Sequence, residues 1–179
     1  MQTDKIIGFL ETDTLSVTFS SKGLKYLSLR NNNGNELIDL KNFDKVKAQN
    51  PMINMIIKET LNFLETGTHH MLLDLKDFTP FQQTVFEAAS KIGVGEICTY
   101  KELAQMIEKP GAAQAVGSAV AKNPVAYFIP THRVIPQKGI AICRSGAGFL
   151  RDKLLTLEGH DVEKLRGNYV CKRNKCCSE

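Results

Sequence analysis

The stretch Thr99-Tyr100-Lys101-Glu102-Leu103-Ala104-Gln105-Met106-Ile107-Glu108-Lys109-Pro110-Gly111-Ala112-Ala113-Gln114-Ala115-Val116-Gly117-Ser118 reads as two short helices across a tight turn. Thr99 followed three residues later by Glu102 is a capping box, in which each side chain bonds the other's backbone amide, and it opens a helix over 100–107. Lys109-Pro110-Gly111 supplies the turn, and a second helix runs over 112–122. Two such helices make a helix-turn-helix candidate. Helical hairpins are more often plain packing units, so the pattern alone leaves DNA binding open. The second helix is poor in large side chains. Small residues let its backbone come close to a neighbouring helix or to a nucleic-acid groove, without long side chains to read bases in a major groove.

Upstream, residues 81–92 form an apolar-faced helix with Phe81, Val85, Phe86 and Ala89 on one side, broken at Val94-Gly95-Glu96. A boundary falls near 76–80, and before it the pattern changes. Residues 6–10, 15–19 and 24–29 are short runs rich in β-branched and aromatic residues, separated by Glu11-Thr12-Asp13 and by the turn-forming cluster 20–23. Asn31-Asn32-Asn33-Gly34-Asn35 is the strongest loop signal. Pro51 opens a helix in which Met52, Ile53, Met55, Ile56, Ile57, Leu61 and Leu64 keep helical spacing up to Gly67. Residues 71–75 read as a closing strand, and the adjacent His69 and His70 carry no evident chemistry. The expected fold class is therefore α+β. A small N-terminal sheet-plus-helix domain over 1–77 precedes a mainly helical domain over 78–165 with the helix-turn-helix, and a basic Cys-containing tail fills 166–179.

Composition bounds the function classes. At 179 residues with 42% apolar content, the chain is long enough for one good core or two small ones. No apolar run nears the ~18 residues that span a bilayer, and the N-terminus lacks an export-signal pattern, so an intracellular protein is expected. The location would be cytoplasmic in a prokaryote or nuclear in a eukaryote. Five cysteines at irregular spacing argue against a disulfide framework, and the tail cysteines Cys171, Cys176 and Cys177 lack metal-ligand spacing. The net charge of +4 is uneven: residues 1–79 hold 9 Lys/Arg against 10 Asp/Glu, and residues 80–179 hold 14 against 9. A basic second half fits a polyanion partner, although the tail supplies part of the excess.

Downstream of the hairpin lie Pro130-Thr131-His132-Arg133-Val134-Ile135-Pro136 and Leu154-Leu155-Thr156-Leu157-Glu158-Gly159. The first resembles the active-site segment of the O6-alkylguanine-DNA alkyltransferases, the methylated-DNA–protein-cysteine methyltransferases, which reads Pro-Cys-His-Arg-Val. Further ordered matches are Pro80-Phe81-Gln82, Gly95-Glu96, Thr99-Tyr100, Leu103-Ala104, Ala115-Val116-Gly117, Lys122-Asn123-Pro124 and Glu158-Gly159. They cover 78–160, while residues 1–77 resemble the family's N-terminal domain by pattern and position only.

The resemblance implies a role for each of these residues. The family's helix-turn-helix enters the minor groove and rotates a damaged nucleotide out of the duplex. Its cysteine attacks the alkyl carbon and stays alkylated. A histidine acting through water prepares that thiolate, and a glutamate orients the histidine. Thr131 stands at the cysteine's position, His132 and Glu158 at those of the histidine and glutamate. Asn123 stands where an asparagine supports the active-site turn, and Tyr100 where a tyrosine contacts phosphate and assists the leaving guanine. DNA contacts are expected from Tyr100, Ala112, Ala113, Gln114, Gly117, Ser118 and Arg133, and the alkyl pocket from Val134, Arg144, Ser145 and Gly146. The chemistry implies no metal and no cofactor. Duplex DNA carrying O6-alkylguanine is the expected partner, followed by a downstream repair protein, and the expected state is a monomer.

Three departures from the family pattern matter. Thr131 replaces a soft, acidic thiol with a branched hydroxyl. Gln114 stands where the family has an arginine that fills the hole left by the flipped base. The loop Ile142-Cys143-Arg144-Ser145-Gly146-Ala147-Gly148 has no aromatic residue. The expectation is a lesion-binding relative without alkyl transfer. The alternatives are a true suicidal alkyltransferase whose cysteine was replaced by mutation, and a protein-binding module that kept the fold. Cys143 is a less favoured candidate for a displaced nucleophile.

Overall fold

The computed structural model describes residues 14–28, 36–39, 51–142 and 146–166. The backbone divides into two compact units at Asp77/Phe78, and Pro124–Phe128 belongs to the first. The expected strand at 6–10 and the tail from 167 onward lie outside the described residues.

In the first unit, β1 (Thr14–Ser20) is the centre of an antiparallel sheet, flanked by β2 (Gly23–Ser28) and β3 (Glu36–Asp39). Helix α1 (Pro51–Thr66) begins at the proline, whose fixed φ suits the first turn, and ends as the Gly67 N–H returns to the Phe63 carbonyl at 2.8 Å. Residues 71–75 are not a full strand. They make one parallel bridge, with the Leu24 N–H donating to Leu72 O and the Asp74 N–H to Leu24 O, both at 2.8 Å. The Lys76 N–H then bonds the Asp74 side chain, a local turn that takes the chain out of the sheet.

Pro124–Phe128 completes this unit. The Leu27 N–H donates to Pro124 O at 2.7 Å, and Val125, Tyr127 and Phe128 are fully buried. The His69 ring packs on Phe128 at a centroid distance of 4.9 Å and on Phe63 at 5.8 Å, so it serves as a packing residue.

The second unit starts at α2 (Pro80–Ala89), whose N-terminus carries a capping box between Thr79 and Gln82. Its buried face, Val85, Phe86, Ala88 and Ala89, packs on α3 (Tyr100–Met106) and α4 (Ala113–Val120). Burying each large side chain stabilises the unit by about 1.5–3 kcal/mol. A short parallel ladder joins β4 (Cys98–Thr99) to β5 (Val134–Ile135), with Cys98 opposite Val134. It ties the start of α3 to the 3-10 turn Thr131–Arg133, and α5 (Gly146–Leu157) packs against that turn. Among the described residues no helix is long and apolar enough to cross a membrane.

Helix α3 ends in a Schellman motif: the Glu108 N–H donates to Gln105 O and the Lys109 N–H to Ala104 O, with Glu108 at φ 58°. That left-handed position favours glycine, and Glu108 is exposed there. Glu108→Gly is therefore expected to stabilise the protein by about 1 kcal/mol, seen as a rise in the urea midpoint at unchanged m-value.

Candidate functional site

The 3-10 turn presents three consecutive side chains with different fates. Thr131 is half-buried, and its Oγ1 accepts a hydrogen bond from Asn123 Nδ2 at 2.7 Å. The same amide group donates to the Ile129 carbonyl at 2.9 Å, so Asn123 braces the turn at two points. His132 is buried, and its Nε2 lies 2.8 Å from Glu158 Oε1.

Glu158 caps the C-terminus of α5. Gly159 at φ 89° closes that helix by a second Schellman motif, with the His160 N–H on Leu155 O at 3.0 Å. A carboxylate at this end of a helix meets the negative pole of the macrodipole, so it needs cationic partners. Arg133 supplies one. Its Nη2 and Nε donate to Glu158 Oε1 at 2.7 and 3.0 Å, its Nε reaches Oε2 at 3.1 Å, and its Nη1 donates to Ile92 O at 2.6 Å. The Gly95 N–H adds a bond to Glu158 Oε2 at 3.3 Å.

The electrostatics follow from this wiring. Burial alone would raise the Glu158 pKa, but hydrogen bonds from His132 and Arg133, reinforced by their charge, bring it down to about 2. Burial lowers the His132 pKa and outweighs the pull of Glu158, with the Arg133 charge pushing the same way. At neutral pH the pair is thus a carboxylate and a neutral imidazole. Nε2 then carries the proton that Glu158 accepts, and Nδ1 keeps the lone pair of a base.

Tyr100, at the first position of α3, packs against α4 at Gly117. A Cβ at Gly117 would sit 3.1 and 3.2 Å from its ring carbons, so the absent side chain lets this tyrosine seat there. On α4, Gln114 and Ser118 are exposed, and Ala112, Ala113 and Gly117 are half-buried. Ala112 stands at the N-cap and offers no side-chain bond, so the first-turn amides are not capped from within.

The 3-10 turn thus carries two bonded pairs side by side in sequence, Asn123 with Thr131 and Glu158 with His132. Arg133, expected at the DNA surface, is instead 1% exposed with its guanidinium turned onto Glu158 and Ile92, a correction that follows from the need to neutralise a buried carboxylate. Val134 is buried in β5 and Gly146 begins α5. Arg144, Ser145 and Cys143 lie outside the described residues. Ile92 and Gly95 join the expected site residues through backbone atoms, which leave no side-chain signal in the sequence.

Residues 80–160 match the family described as 6-O-methylguanine DNA methyltransferase, DNA binding domain. The methylated-DNA–protein-cysteine methyltransferase of Mycobacterium leprae is 44% identical over 84 residues, which make up 47% of this chain and 51% of its own. The sequence match to such curated relatives spans about half their length. The structural match reaches further. Mycobacterium tuberculosis OGT in complex with DNA aligns with a TM-score of 0.61 and 28% identity over 85% of this chain and 88% of its own. A point variant of that protein gives a TM-score of 0.55 and 30% identity over 80% and 91%. With the α+β architecture shared across nearly all of that relative and the Pro130–Val134 motif in order, the chain belongs to the O6-methylguanine-DNA methyltransferase family.

Proposed function

We propose that this chain binds duplex DNA through α3 and α4, takes O6-alkylguanine out of the stack from the minor groove, and holds it without removing the alkyl group. One observation carries this reading. Thr131 Oγ1 stands at the nucleophile's position, held by Asn123 at 2.7 Å, while the His132–Glu158 pair beside it is intact. The pair expected to prepare a nucleophile is bonded, but the atom it would prepare is a hydroxyl.

The chemistry then stops at binding. A hydroxyl ionises far less readily than a thiol, and the neutral imidazole of His132, with its lowered pKa, is too weak a base to take that proton. The Asn123 N–H occupies one Oγ1 lone pair, which weakens the oxygen further as a nucleophile. Hydroxyl triads succeed at carbonyls because addition leaves an oxyanion on the attacked group that can be stabilised, whereas displacement at a saturated alkyl carbon has no such intermediate and builds negative charge only on the departing guanine. The lesion stays intact, and its removal falls to a downstream repair protein.

The DNA-binding half of the proposal is supported by α4, whose small residues and uncapped first turn suit close approach to a phosphate backbone. It is supported also by the relative crystallised in complex with DNA. Gln114 fills space without adding charge, so attraction depends on the hairpin's exposed lysines, Lys101 and Lys109.

Two measurements on the unaltered protein test this. Fluorescence anisotropy should show tighter binding to a duplex with one O6-methylguanine than to the undamaged duplex, weakening at least tenfold between ~50 and ~200 mM salt. Incubation with the radiolabelled lesion should leave no stoichiometric label on the protein. Full labelling that maps to Cys143 would mean a different nucleophile, and affinity indifferent to salt would remove DNA from the account.

A further inference from the structure

The first unit contains a pocket of about 390 Å³ in which α3 and α4 take no part. Three pieces of chain line it: the turn from β1 into β2, one face of α1, and residues 70–72. Leu24 and Met71 are its buried lining residues. Met55 and Glu59 stand four residues apart on α1 and so share a face. The wall at 70–72 is fixed by the sheet. The Leu24 N–H donates to Leu72 O at 2.8 Å, and a Cβ at Gly23 would collide with that same carbonyl. The missing side chain lets this wall close on the turn, so the pocket is preformed.

Exposure and charge together say what the pocket takes. Met55 is 45% exposed and Leu72 73%, two large apolar side chains that meet water at one pocket. A small molecule lodged inside would leave much of Leu72 uncovered, whereas a polypeptide laid across the pocket would cover both. Methionine walls suit such a guest, because the unbranched thioether adapts to an apolar side chain placed against Met55 and Met71. Glu59 lines the same pocket with its side chain only 15% exposed. Its Oε2 accepts the His70 N–H at 2.6 Å and lies 3.6 Å from His70 Nδ1. Oε1 meets no donor among the described residues, which leaves one carboxylate oxygen for a cationic guest. Lys22, exposed on the turn, favours an acidic residue beside the basic one.

We propose that this pocket docks a segment of a partner protein, which places an apolar side chain against Met55, Met71 and Leu72 and an adjacent Lys or Arg on Glu59. The site stands apart from DNA binding, since every residue that lines it lies before residue 73.

The probe is the capped pentapeptide Ala-Leu-Arg-Leu-Glu, titrated into the full chain with isotope-labelled methionine methyl groups and followed by NMR. Met55 and Met71 should shift in a saturable way, with a dissociation constant on the order of 1 mM, while Met106 on α3 stays in place. Citrulline in place of the peptide's arginine keeps the shape and loses the charge, and should weaken binding about fivefold or more. Glu59→Gln should abolish that difference between the two peptides. Its amide oxygen still accepts the His70 N–H, so the unit keeps its fold. Leu72→Ser changes an exposed side chain and should weaken both peptides about threefold. Met55 and Met71 signals indifferent to the pentapeptide overturn the inference, as does equal affinity for the arginine and citrulline peptides. Phenethylammonium bound there as tightly as the pentapeptide would assign the pocket to small amines and overturn the partner. No DNA enters the experiment, so its failure is distinct from that of the proposed function.

Discussion

Thr131→Cys is expected to convert a protein that takes up no label into one that accepts close to a full methyl group per molecule from O6-methylguanine in duplex DNA. The parts around that position are already arranged. His132 is neutral with its Nδ1 lone pair available, Glu158 holds the other nitrogen, and Asn123 braces the turn. A thiol needs only to lose a proton near the upper end of the neutral range, which such a base can assist. Transfer should be slower than in a relative with the full motif, because Gln114 brings no charge. Adding His132→Ala should then cost about 10²-fold or more in single-turnover rate. The check is a methyl group found by mass spectrometry on the peptide containing position 131. A Thr131→Cys protein that binds the lesion normally and stays unlabelled would show that the pocket no longer presents the alkyl carbon in line.

The second large effect concerns stability. Glu158→Gln removes the counter-charge of Arg133, whose side chain is 1% exposed, and should destabilise the fold by about 3–5 kcal/mol. For a chain of this size that is a fall of roughly 10 °C in the thermal midpoint. The pH dependence has a definite sign. The Glu158 pKa lies at about 2 against an ordinary value of 4.5, so its ionised form stabilises the protein fully above 4.5. That contribution is lost as pH falls from 4.5 through about 2. Acid titration by circular dichroism should show this loss in the unaltered protein and its absence in Glu158→Gln. Pairing Glu158→Leu with Arg133→Met should recover much of the stability, since neither charge is then left buried alone. A Glu158→Gln protein as stable as the parent would mean that water reaches Arg133 freely.

Much of this site was legible in the chain because its chemistry is carried by side chains in a fixed order. Thr131-His132 and Glu158 were placed from motif order alone, and the Thr99–Glu102 capping box marked the start of α3 to the residue. The same signature stands at Thr79–Gln82 and opens α2 at Pro80, one residue before the expected start. Arg133 shows the limit. Adjacent to a site expected to face phosphates, an arginine reads as a surface contact, and only the fold reveals a buried carboxylate that must be neutralised. Residues 71–75 read as a strand by composition, but the Asp74 side chain competes for the backbone and leaves a single bridge. The β4–β5 pairing is two residues long, too short to leave a period.

The placement of Pro124–Phe128 in the first unit has a consequence for how the molecule is made. Val125, Tyr127 and Phe128, all at 0% exposure, belong to a core whose other members lie before residue 78. As the chain leaves the ribosome, that core stays unfinished while more than forty further residues emerge. The helices synthesised in the meantime pair locally and close small loops, which is fast, whereas Leu27 of β2 must wait for its bridge to Val125. The first unit therefore closes only after most of the helices of the second have been synthesised.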